Sequence, residues 1–558
     1  MKKPTLPWIL GIAALSALLL LFLYYPLLFI LQRGFFMDGR VTLALFKILI
    51  QNEVLVTAVA TSFAIGILVT LLCLIVAFPL AWSASRYRLP HPGLLNGLMM
   101  LPMILPPFVG AIGMRQFLSR FGTLNVVLMN LGVISTPLDF MGSGFMGVVI
   151  LEVLHLFPIV YLNLTAVLSN LDPALEEAAW NLGCTRGTFF RRILLPLASP
   201  GVFAGCAIVF VWSVTDLGTP LILEYRGVAA YRIFTMLNDV YENPMGYALV
   251  IFMLVWVALV YFGAKAFFLR RETAMASKAV RGVDRPVPSR FSGTLMVALF
   301  AGVGVLAVIP HLMVVVSSVA ETWFMTALPE RVSLQYFQSA ITHPLAFTSV
   351  RNSLFLSSVT TMLDLGLGVG AAYCLARFRF AGRALLDFSI MLPLALPGLI
   401  LAFGYVGAFA GTGFDPRQNP FPLLIAAYSV RRLPFMVRSV DAGLRQIHVS
   451  LEEAAFTLGA SPFRTLTRIT APLLSSSILA GGVLVFSFAM LEVSDSLILA
   501  MKEGGYPITK AIYALVNRTQ DGFPVASALG VCAMLLLGAS LFIAGKTLGR
   551  KMGELFRV

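Results

Sequence analysis

Twelve separate stretches of about twenty or more largely apolar residues run along this chain, and a stretch of that kind has few stable homes. A bilayer core is about 30 Å thick, a helix needs about 20 residues to cross it, and backbone groups inside it must find partners within their own segment. The stretches lie near 8–31, 54–83, 94–114, 144–168, 200–223 and 246–268, then near 292–320, 353–375, 385–410, 422–444, 475–499 and 523–545. They predict an all-α integral membrane protein. A hydrophobic share of 59%, a charged share of only 12% and a mean hydropathy of +0.89 exclude a soluble fold.

The chain carries 40 Lys and Arg against 26 Asp and Glu. In a membrane protein that excess belongs in loops that resist translocation, so it argues for neither a nucleic-acid site nor a nucleic-acid partner. Counted over alternate loops, the set that includes both termini holds nearly twice as many Lys and Arg as the other. Both termini are therefore expected in the cytoplasm. The first stretch is longer than a secretory signal core and has no small-residue cleavage site behind it, which predicts a retained helix. Cys73, Cys184, Cys206, Cys374 and Cys532 have no CxxC spacing, so neither a disulfide framework nor a metal site is expected.

The chain repeats itself. Residues 175–183 read LEEAAWNLG and residues 451–459 read LEEAAFTLG, 276 positions apart. The same offset aligns Pro196 with Pro472 and Leu221-Ile222-Leu223 with Leu497-Ile498-Leu499. Upstream, Arg86-Tyr87-Arg88 aligns with Arg377-Phe378-Arg379, and Pro102 and Pro106 with Pro393 and Pro397, at an offset of 291. The first copy thus has the longer loop between its third and fourth spans. Six spans per copy is an even number, so the two copies enter the membrane in the same sense, as parallel repeats. The expected boundaries are 1–269 for the first repeat, 270–291 for a basic cytoplasmic linker and 292–558 for the second repeat.

Each repeated loop should hold a short helix. Asp172-Pro173 offers a cap with proline at the first helical position, and Ser450-x-x-Glu453 fits a capping box. The glutamates sit in the first turn, where the helix dipole favours them, and Gly183 or Gly459 ends the helix.

Glu-Ala-Ala, a glycine four residues on, and then Ile-x-x-Pro resemble the EAA loop of the membrane subunits of binding-protein-dependent ABC importers. That spacing occurs twice, in the right topological place, and the six-span unit covers nearly the whole chain. The resemblance implies two parallel six-helix repeats of the ABC importer permease (MetI-like) type in a bacterial inner membrane. It also implies that the loops near 171–197 and 447–473 couple to two copies of a cytoplasmic ATPase. The coupling residues it marks are Glu176, Glu177, Ala178, Ala179, Gly183 and Pro196, with Glu452, Glu453, Ala454, Ala455, Gly459 and Pro472. ATP and magnesium would sit on the partner ATPase, no cofactor on this chain, and an extracytoplasmic binding protein would deliver the solute. The chain is most similar to the iron(III) branch, whose relatives carry phosphonate, organophosphate, thiamine or polyamine. The chain itself should not hydrolyse ATP, because the nearest approach to a phosphate loop, residues 540–547, begins with Ser540 and ends a span.

Ionisable residues within spans are costly unless they face a cavity or a partner. Asp216 and Glu492 occupy equivalent positions toward the outer ends of the fifth and eleventh spans, where a pseudo-twofold axis would set them on opposite sides of one path. Glu152, Arg431 and Arg432 are further candidates for the translocation path, with Asp364 and His155 beside them. The alternative for each is a brace within its own half. For an iron cargo the arginines are expected to pair with Glu152 or Asp364. His91, His311, His343 and His448 have no ligand spacing and receive no role. Pro102, Pro106, Pro107, Pro393 and Pro397 should kink the third and ninth spans. An ion-driven secondary transporter would explain twelve spans but not the EAA loops, and a membrane enzyme lacks any nucleophile-base pair.

Overall fold

The computed structural model describes residues 6–37, 39–171, 173–237, 239–240, 242–268, 286–518 and 522–548. Asp172, most of the expected linker and the outermost residues at both ends lie outside these.

Ten principal helices follow in order in the first repeat. They are α1 (Leu6–Phe35), α2 (Glu53–Arg86), α3 (Pro92–Ile104), α4 (Pro107–Leu118), α5 (Phe145–Ser169), α6 (Pro173–Asn181), α7 (Leu195–Val214), α8 (Gly218–Ile222), α9 (Ala229–Thr235) and α10 (Met245–Phe268). The second repeat returns the same series as α11 (Arg290–Val319), α12 (Pro344–Arg377), α13 (Arg383–Ala395), α14 (Gly398–Ala408), α15 (Pro420–Leu444), α16 (Ser450–Thr457), α17 (Ser475–Met490), α18 (Ser494–Leu499), α19 (Ile508–Val516) and α20 (Gly522–Leu548). Each helix of the first series has its counterpart ten numbers on.

Local chemistry explains where these helices start and stop. The Asn52 side chain accepts from the N–H groups of Val54 and Leu55, both at 3.1 Å, at the head of α2. At the head of α12, Pro344 opens the helix and His343 Nδ1 accepts from the Leu345 N–H at 3.2 Å. The third and ninth spans break at Pro106 and Pro397, with bends of 88° and 105°. Leu105 and Leu396 are forced into extended backbone by the proline that follows each. Pro102 and Pro393 lie inside α3 and α13, so the second proline of each pair, not the first, makes the break.

Eight helices are long and apolar enough to cross a membrane, and three bent pairs raise the number to as many as eleven among the described residues. The one expected span left over, the tenth in order, is α15, 25 residues long, whose apolarity is lowered by Arg431 and Arg432 at its middle. The fifth and eleventh stretches are shorter as helices than expected. Each is interrupted beside its acidic residue, between α7 and α8 at Asp216 and between α17 and α18 at Glu492.

The chain forms two compact units that exchange their first helices. One unit joins the described residues among 6–51 and 232–251 to those among 333–548, and so packs α1 with the core of the second repeat. Tyr405 of α14 donates to the Phe22 carbonyl at 2.6 Å, and Trp8 stacks on Tyr373 at 5.0 Å. The other unit, built mainly from residues 52–231 and 252–332, packs α11 with the core of the first repeat. There a Cβ on Gly113 of α4 would stand 1.7 Å from the Pro310 carbonyl oxygen, so only glycine lets α11 approach. The repeat of the sequence and the unit of packing are therefore different divisions of the chain.

Candidate functional site

The two EAA helices, α6 and α16, end alike. The Gly183 N–H bonds the Trp180 carbonyl at 2.9 Å and the Cys184 N–H reaches back to Ala179 at 3.0 Å. Gly459 and Ala460 repeat this onto Phe456 and Ala455, both at 3.0 Å. Such a closure needs a left-handed residue after the helix, and φ is +73° at Gly183 and +81° at Gly459. No atom lies within 4 Å of where a Cβ would stand at either glycine. Backbone conformation, not space, therefore demands glycine there. Beside them Leu182 and Leu458 are 87% and 88% exposed.

The motif divides its residues between an inner and an outer face. Arg86, at the end of α2, pairs with Glu176. Arg377, at the end of α12, grips Glu452 through Nε at 3.0 and 3.2 Å. Thr470 also donates to Glu452, at 3.2 Å, where the first repeat has Leu194. Ala179 and Ala455, three residues on, are buried on the same face, while Glu177, Ala178, Glu453 and Ala454 are exposed. After each loop comes one π-helical turn, Phe190–Leu194 and Leu466–Thr470, with Pro196 and Pro472 at the start of the next helix. The wider turn accommodates a proline that lacks an N–H and crowds the preceding turn.

One expectation is corrected here. The capping box at Ser450 does not form. The helix already includes Ser450, and Val449 before it makes no side-chain cap. His448, given no role from sequence, caps this end instead, with Nδ1 2.8 Å from Ser450 Oγ and 3.4 Å from the Ser450 nitrogen.

The unit containing α15 buries a compact set of charges. Arg431 Nη1 donates to Glu492 Oε1 at 2.6 Å and to Asp495 Oδ2 at 3.2 Å, and Arg432 contacts the other Glu492 oxygen. The arginines thus pair with Glu492 and Asp495, not with the partners expected from sequence. Asp364 instead accepts from the Ser429 hydroxyl. Gly398 makes room for this arrangement, since a Cβ there would stand 2.2 Å from Arg431 Nη1. Asp495 was not among the sequence candidates. Its spacing of three from Glu492, across the start of a helix, was the available signal.

The other unit holds its carboxylates differently. Glu152 of α5 accepts from the Ser213 hydroxyl of α7. Asp216 accepts from the N–H groups of Gly218 and Thr219 at 3.1 and 3.0 Å, capping α8. His155 Nδ1 lies 2.8 Å from the Pro102 carbonyl. That is the carbonyl a helical N–H at position 106 would have bonded, and proline has none. His311 Nε2 lies 3.2 Å from the Pro106 carbonyl, so it too has a structural partner.

Residues 77–273 and 365–554 each match the family model for the binding-protein-dependent transport system inner membrane component. The chain belongs to this family. Its two matches make the permease a fused pair of transport units. It is 28% identical to the ferric transport system permease protein FbpB of Actinobacillus pleuropneumoniae, over 94% of the permease and 76% of that protein. It is 24% identical to the Fe(3+)-transport system permease protein FbpB 2 of Haemophilus influenzae, over 84% of the permease and 85% of that protein. The spermidine/putrescine transport system permease protein PotB of Haemophilus influenzae matches 36% of the permease at 30% identity, over 72% of its own length.

Proposed function

We propose that the permease forms the path of an ATP-driven importer for iron(III), with one ATPase subunit seated on each EAA loop and an extracytoplasmic binding protein delivering the cargo. The observation that carries this reading is the duplicated loop. Each copy sets a nearly fully exposed leucine beside a glycine-closed helix, and each is tied by an arginine–glutamate pair to the end of a long spanning helix. An exposed apolar side chain on a fixed mount suits a partner surface. Force applied there passes through Arg86 or Arg377 into α2 or α12.

In this mechanism ATP and magnesium bind the ATPase pair, whose closure draws the loops together. Rocking of the two units then exchanges inward and outward openings. The excess of Lys and Arg in the loops on that side supports a cytoplasmic position for the EAA loops and both termini. Iron(III) is the cargo favoured by the ferric permeases that match most of the chain. Glu152, Asp216, Arg431, Arg432 and Glu492 act as braces beside the path. Both oxygens of Glu492 are taken by guanidinium groups, so a passing cation would meet a neutralised carboxylate.

The test is uptake in proteoliposomes containing the permease, the ATPase encoded beside it and the cognate binding protein loaded with iron(III). ATP-dependent iron uptake is the expected result. Uptake without ATP, or failure of any ATPase to co-purify, would sink the importer reading. A binding protein that takes polyamine and not iron would overturn only the cargo.

A further inference from the structure

We propose that a cavity at the EAA-loop end of the second repeat binds a phosphate-bearing anion, held by Arg383, Arg438 and Arg445. The cavity is about 270 Å³ and lies between the end of α12, the start of α13 and the last turns of α15. Its charged lining is three arginines against Asp387 and Asp441, a net positive set. Arg445 is paired with Asp441 at 2.9 Å. Arg438 has no carboxylate within ion-pair distance among the described residues, and its Nε donates only to the Met391 sulfur at 3.2 Å. A guanidinium with donors to spare at the mouth of a small basic cavity is suited to phosphate oxygens, which it can meet in pairs.

The first repeat lacks this site. Where the second repeat has Arg383, Asp387, Arg438 and Arg445, the first has Pro92, Asn96, Leu162 and Ser169. Val437 is replaced by Tyr161, which is buried and donates to the Asn96 side chain. A phenol ring therefore fills in one half the place that is open and basic in the other. Leu385 and Phe388 are exposed on the outer side of α13, so apolar surface suited to lipid chains adjoins the basic cavity. A phospholipid headgroup and a free phosphate share the required chemistry. Either would tie α13 to the last turn of α15, from which the second EAA loop departs.

The proposal does not depend on the cargo or the ATPase, and the purified full-length permease suffices to test it. Its thermal midpoint in neutral detergent is measured with phosphatidylglycerol against phosphatidylcholine, and with inorganic phosphate against chloride at equal ionic strength. Native mass spectrometry counts retained phosphatidylglycerol. We expect wild type to be stabilised by phosphatidylglycerol and to retain it, with the shift lost in Arg438→Gln. Val437→Tyr, which copies the first repeat, should lose it through shape rather than charge. A shift with phosphatidylglycerol alone identifies a lipid site, and a shift with inorganic phosphate identifies a free-anion site. No shift with either, or shifts of equal size in wild type and both variants, would overturn the proposal.

Discussion

Arg377 and Glu452 meet at 3.0 Å beneath the second EAA helix, and Arg86 and Glu176 meet in the matching place beneath the first. The two pairs differ in burial. Glu452 is 3% exposed and has Thr470 as a second donor, whereas the Glu176 side chain is 26% exposed. Removing one member of a buried pair strands the other charge and costs about 3–5 kcal/mol, while a more solvated pair is worth about 1 kcal/mol or less. Glu452→Ala should therefore lower the thermal midpoint of the purified permease far more than Glu176→Ala. Equal shifts would show that the two anchors are energetically alike.

Gly183 and Gly459 have positive φ and open space around them. Valine at either position should strain the helix end, because a left-handed residue with a side chain costs roughly 1–2 kcal/mol and a β-branched one more. Asparagine tolerates that conformation and should be close to wild type. Uptake coupled to ATP hydrolysis checks both. If valine and asparagine reduced it equally, the backbone explanation would fail.

Gly398→Ala should disrupt the charge set around α15 without touching a charged residue. The added methyl would occupy the position of the Arg431 guanidinium. Overpacking of this kind costs about 1–3 kcal/mol, with a fall in thermal midpoint as the readout. An unchanged midpoint would show that Arg431 can move aside freely.

Asp216→Asn and Glu492→Gln separate bracing from cargo guidance. An asparagine oxygen can still accept from Gly218 or Thr219, so Asp216→Asn should transport almost normally. Glu492→Gln loses two ion pairs and should be less stable. Guidance of a cation would instead require both variants to impair iron uptake while folding and ATPase coupling stay intact.

Asp415 lies in the loop between α14 and α15, where the Arg417 guanidinium beside it holds its carboxyl down to about 2. The folded value lies below the ordinary one of about 3.9, so the contribution is complete above about pH 5 and is lost as pH falls through about 4 to below 2. Asp415→Asn should therefore be less stable than wild type at neutral pH, and the difference should shrink on acidification through that window. A difference independent of pH would point to the hydrogen bond from the Gly411 N–H rather than to charge.

Much of this architecture was legible because the governing rules are local. Apolar length marked the spans, and the repeated LEEAA segment marked both loops down to the glycine that closes each helix. Even α15 was found, although its arginines weaken the apolar signal. What stayed hidden depends on partners distant in sequence. Nothing in residues 6–35 says that Tyr24 will meet Ser389 or that Phe22 will meet Tyr405. Likewise, Ser450 fits a capping box by spacing alone, but His448 sits two residues away and takes that end of the helix.

The exchange of first helices sets a schedule for synthesis. Phe22 and Tyr405, which share a hydrogen bond, are 383 residues apart. At a translation rate of about 5–20 residues per second, α1 leaves the ribosome roughly 20–75 seconds before its partner. During that interval it stands in the bilayer with its packing face open to lipid or to other helices. Stalled nascent chains of increasing length should show a cysteine placed at Tyr24 open to cross-linking until α13, which carries its partner Ser389, has been inserted.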